Sequence, residues 1–123
     1  MATVKVRVFP EMAHVPALAH EKTSNFWIDP PIIEFDPAHA TDIEFVSLGG
    51  ESLNIDMTKL HPGAAATGPA NPGAPLTVSI PAGAVPQGMY VYAIRVRWQP
   101  TGGGQAVWKK AHANSDPRAK VYP

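Results

Sequence analysis

Residues 88–98, Gly88-Met89-Tyr90-Val91-Tyr92-Ala93-Ile94-Arg95-Val96-Arg97-Trp98, decide the fold. Tyr90, Tyr92, Ile94, Val96 and Trp98 recur at every second position, the period of a strand with one apolar face. Arg95 and Arg97 fall on the opposite face. Pro86-Gln87-Gly88 supplies the turn that starts the strand.

The same pattern spreads in both directions. Val4, Val6 and Val8 alternate with Thr3, Lys5 and Arg7, and Pro10 ends that strand. Phe26-Trp27-Ile28 starts another, which Asp29-Pro30-Pro31 interrupts before Ile33 and Phe35 share a face. Ile43 and Phe45 alternate with Asp42 and Glu44. Leu53, Ile55 and Met57 do so with Asn54 and Asp56, and Leu76, Val78 and Ile80 with Thr77 and Ser79. Ala106 and Trp108 lie on a return strand after Gly102-Gly103-Gly104, and Ala119 with Val121 closes the chain.

One-sided apolar strands must bury those faces against a second layer, because exposed apolar surface costs about 25 cal/mol per Å2. The expectation is therefore all-β: an antiparallel two-sheet sandwich of seven to eight strands, forming one domain over residues 1–123. The 14 prolines and 10 glycines among 123 residues agree with many turns and short strands. His61 to Pro75 holds four prolines and three glycines and is expected to be a long loop, not a strand.

Two segments resemble cupredoxins. Residues 43–55 are similar to the strand-loop-strand that brings that family its first histidine ligand, with Leu53 at the histidine position before Asn54 and Ile55. Residues 88–94 resemble the family's Gly-x-Tyr-x-Tyr-x-Cys strand, with Ile94 at the cysteine. The likeness implies a cupredoxin-like Greek key, although a Gly-x-Tyr-x-Tyr strand also suits an immunoglobulin-like one. It further implies an empty metal site, since blue copper needs a thiolate and two imidazoles. Leu53 and Ile94 are expected to face each other and fill that space. No metal and no other cofactor is expected.

Composition narrows the chemistry further. No cysteine is present, so thiolate ligands, disulfides and cysteine nucleophiles are excluded. Lysine plus arginine and aspartate plus glutamate number 10 each, leaving no net field to draw nucleic acid. Arg95, Arg97 and nearby Lys109-Lys110 read as a solvated sheet face. No apolar run reaches the length of a membrane span. The first residues alternate like a strand, so no signal peptide is expected; a cytoplasmic address is the default, and a mature exported domain reads the same. No serine sits in a nucleophile elbow, and Asp42 with Glu44 reads as an outward carboxylate pair, so no enzyme is expected.

What remains is a non-enzymatic, metal-free binding or assembly module, its partner a protein or small ligand met through loops or a strand edge. Homo-oligomers fit the same picture. His61, Thr67 and Asn71 are the candidate contacts on the long loop. Deletion of residues 63–73 is expected to spare the fold. Trp27 and Trp108 are candidates for an aromatic patch. The alternative is copper binding by Met12, His14 and His20, since thioether and imidazole suit Cu(I).

Overall fold

The computed structural model describes residues 2–10, 26–99, 104–112 and 117–122. These residues form strands and turns and no helix. The strands are β1 (Ala2–Pro10), β2 (Phe26–Asp29), β3 (Ile32–Phe35), β4 (Thr41–Ser47), β5 (Ser52–Asp56), β6 (Ala65–Pro69), β7 (Leu76–Ile80), β8 (Gly88–Val91), β9 (Ala93–Trp98), β10 (Val107–His112) and β11 (Arg118–Val121). The all-β expectation holds. Eleven described strands exceed the seven to eight expected, because two apparent strands each divide and the long loop contains one of its own.

Eight strands form one sheet in the order β6-β5-β9-β10-β2-β1-β4-β7, and β3-β11-β8 form a second. Pairing is mixed, contrary to the purely antiparallel expectation. β1 runs parallel to β4, β10 to β2, and β11 to β3. Parallel pairing leaves no local mark, since its partners come from distant sequence. The large sheet curls until its end strands approach each other. A Cβ on Gly68 of β6 would lie 3.9 Å from Leu76 Cδ1 of β7. The Ser47 N–H, at the end of β4, donates to the Ala70 carbonyl just past β6 at 2.7 Å. The result is barrel-like and nearly closed.

Residues 88–98 do not stay in one sheet. Gly88–Val91 pair with β11 in the small sheet, whereas Ala93–Trp98 pair with β5 and β10 in the large one. Tyr92 is the crossover, its N–H donating to the Pro117 carbonyl at 3.0 Å. Residues 26–35 cross likewise: β2 lies in the large sheet, β3 in the small, with Pro30 and Pro31 between them. The apolar period runs in phase through 88–98, whereas at Pro30-Pro31 it shifts by one residue, from even to odd positions. Tyr92, Ile94 and Val96 are buried in sequence, as are Phe26, Ile28, Ile33 and Phe35.

Both sheets thus feed one core. Val6, Val8, Ile43, Phe45, Leu53, Ile55, Met57, Ile94 and Val96 come from the large sheet and the residues just beyond it, and Ile33, Phe35, Ala119 and Val121 from the small one. Each buried branched side chain contributes about 1.5–3 kcal/mol. The Tyr92 ring meets Phe45 edge-on, with centroids 6.3 Å apart.

The segment 61–75 is a strand between two turns. β6 pairs antiparallel with β5 from Ser52↔Pro69 to Asp56↔Ala65, and Ala64 and Ala70 at its ends are buried. Proline and glycine are tolerated there because β6 is an end strand, where one side of the backbone needs no ladder partner.

Candidate functional site

The division of residues 88–98 creates a cleft. β9 stays beside β10 only as far as Arg95↔Lys110, and beside β5 as far as Ala93↔Asp56. Upstream of Ala93 the chain departs for the small sheet, leaving a gap between β10 and the turn that follows β5. This cleft, about 220 Å3, is lined by Asp56, Thr58, Lys59, Val91, Tyr92, Ala93 and Lys110.

Its charges are fixed by local structure. Asp56 closes a turn on itself: Oδ1 accepts the Thr58 N–H at 3.0 Å and the Thr58 hydroxyl at 2.6 Å. The hydroxyl bond, then the N–H bond, and the nearby Arg95 and Lys59 charges hold the Asp56 carboxyl below the usual carboxylate range, outweighing a small opposing effect of burial. Lys110 projects from the outer face of β10 directly opposite Arg95. Arg97 lies two residues further along β9, opposite Trp108, with its guanidinium 5.7 Å from the centre of that ring. Lys109 points the other way, its ammonium 5.3 Å from the Trp98 ring centre. Among the described residues Arg7 pairs with Asp29, and His39 Nε2 lies 3.9 Å from Asp36; Lys59, Arg95, Arg97 and Lys110 have no described carboxylate within pairing distance.

The sequence showed Arg95, Arg97 and Lys109-Lys110 but not their grouping with Lys59. That grouping depends on the register of β9 with β10 and on the turn after β5, neither of which leaves a local signal. The alternation of Arg95 and Arg97 was the available clue.

The expected loop site does not assemble. His61 and Asn71 lie at opposite ends of β6, a span of about 14 Å over its length. Thr67, midway and outward, accepts a hydrogen bond from the Asn54 side-chain amide at 2.7 Å. Trp27 and Trp108 share the outer face of adjacent strands. However, Trp27 pairs with position 112, so Trp108 lies four residues away along the strand, again about 14 Å. Trp27 instead borders a separate hollow of about 360 Å3 with Arg7, Phe9, Ile28, Asp29 and Pro31.

Leu53 and Ile94 are fully buried on neighbouring strands, but they do not face each other. Leu53 lies opposite Val96, and Ile94 opposite Ile55, because the β5–β9 register is offset by two residues from the expected one. Met12, His14 and His20 lie outside the described residues. Among the described residues no group of three or more histidine, aspartate or glutamate side chains is placed to hold a metal ion. No protein-family model matches the chain, and no curated protein matches it.

Proposed function

We propose that this chain is a non-enzymatic binding module whose recognition surface is the outer face of β9 and β10 beside the cleft. One observation carries the reading: four cations, Lys59, Arg95, Arg97 and Lys110, gather there around one described carboxylate, Asp56, and none of them is within ion-pairing distance of a described acid. A sheet face that needed only to be solvated gains nothing from setting two cations directly opposite each other, which is destabilising. Asp56, the one acid among the described residues lining the cleft, is held ionised by Thr58 and suits neither general-acid nor general-base work near neutrality. This supports binding over catalysis.

The likeness to cupredoxins enters only as a proposed architecture without copper ligands.

The test is capture of ligand from native-host extract by the wild-type chain, set beside Lys110→Ala and an Arg97→Ala/Trp108→Ala double variant. Thermal unfolding of each chain establishes that it is folded. Capture that disappears in the variants supports this face. Undiminished capture by folded variants removes it.

A further inference from the structure

We propose that the face beside the cleft binds an extended acidic peptide with glutamate at every second residue. The proposal rests on the reading above that this face is the recognition surface.

Spacing is the first argument. Arg95 and Arg97 project from the same side of β9, about 7 Å apart, with Lys110 on the neighbouring strand and Lys59 across the cleft. An extended peptide repeats its side chains on one face at that same interval. Alternating carboxylates would therefore meet successive cations without distortion. Among the described residues Arg95 makes one side-chain hydrogen bond, a long one of 3.4 Å to the Asn54 side-chain oxygen, and can take a stronger acceptor.

Asp56 decides between a peptide and a chain of phosphates. Its Oδ1 is occupied by Thr58, and no described residue donates to its other oxygen. That oxygen can accept a peptide N–H. The same carboxylate repels glutamate and phosphate alike, but only a peptide brings an N–H to offset that repulsion. Trp108 favours glutamate over aspartate. The ring is 38% exposed and braced by Arg97, so it offers an apolar ledge to the longer aliphatic stem.

The experiment is fluorescence anisotropy with a dye-labelled dodecapeptide alternating glutamate and threonine. Saturable, salt-sensitive binding is expected, weakened about tenfold or more by Lys110→Ala or Arg95→Ala, as loss of one good charged contact implies. A dodecapeptide of the same composition, with its glutamates in one block, should bind more weakly. Asp56→Asn, which keeps an acceptor oxygen and removes the charge, should strengthen decathymidylate more than it changes the alternating peptide. Decathymidylate binding the wild-type chain as tightly as the peptide would overturn the proposal in favour of nucleic acid. Equal competition by inorganic phosphate would reduce the site to a simple oxyanion pocket. If the variants lose capture of the host ligand yet the alternating peptide never binds, the recognition face stands and its acidic-peptide ligand falls.

Discussion

Arg95 and Lys110 stand directly opposite each other on antiparallel neighbours, like charge against like charge. Cross-strand pairs of this kind typically cost a few tenths to about 1 kcal/mol. Replacing Lys110 with glutamate turns repulsion into attraction. Lys110→Glu should therefore raise the unfolding temperature, measured by circular dichroism at low salt, while abolishing retention of an anionic ligand. A variant that loses both stability and binding would mean that Lys110 serves the fold.

Tyr92 gives a second prediction. Its hydroxyl is buried and has no hydrogen-bond partner among the described residues. Burial also pushes its pKa well above the ordinary tyrosine value. The folded state thus holds this proton more tightly than the unfolded state does. The associated stability is complete below about pH 10 and declines as pH rises from there. Tyr92→Phe removes both the orphaned hydroxyl and this titration. It should be at least as stable as wild type at pH 7. Above pH 10 it should lose less stability, as read from denaturant midpoints across the alkaline range.

The β6 strand supports a third. Removing Ala65–Pro69 strips β5 of one ladder partner and takes away the closure over Leu53 and Ile55. Such a deletion should abolish cooperative thermal unfolding, the opposite of what a free recognition loop would show. A deletion variant that melts sharply near the wild-type temperature would refute the structural role of β6.

Core truncation gives a fourth. Leu53 and Ile94 are each fully buried. Either residue changed to alanine should lose about 2–5 kcal/mol in urea unfolding. Because they are diagonal neighbours across β5 and β9, the double variant should depart from additivity.

Gly50 supports a fifth. It sits after β4 with φ at +80°, a conformation that favours glycine. Gly50→Ala should destabilise the chain by about 1–2 kcal/mol, measured by the same unfolding. An unchanged midpoint would show that the turn relaxes freely.

Much of the fold was legible because each strand shows its buried face every second residue. Val6, Val8, Ile43, Phe45, Leu53, Ile55, Val78, Ile80, Ala119 and Val121 are all buried as the alternation implies. The crossing at Tyr92 was not legible, since both sheets bury the same side of the chain and the period passes through unbroken. β6 was hidden for another reason. Gly68 and Pro69 argue against a central strand, yet an end strand needs only one paired side. The cleft lay beyond reach because Lys59 and Lys110 meet only once long-range register is set.

The two crossings at 26–35 and 88–98 have a mechanical consequence. In each of these two segments one short run of backbone belongs to both sheets, so parting the sheets strains the strands on either side of the crossing. Interleaving of this kind performs the cross-linking that a small secreted fold often leaves to disulfides, in a chain that has no cysteine. Amide protons in β9 and β11 should then exchange through one shared opening, and a pulling force should break the molecule in a single event.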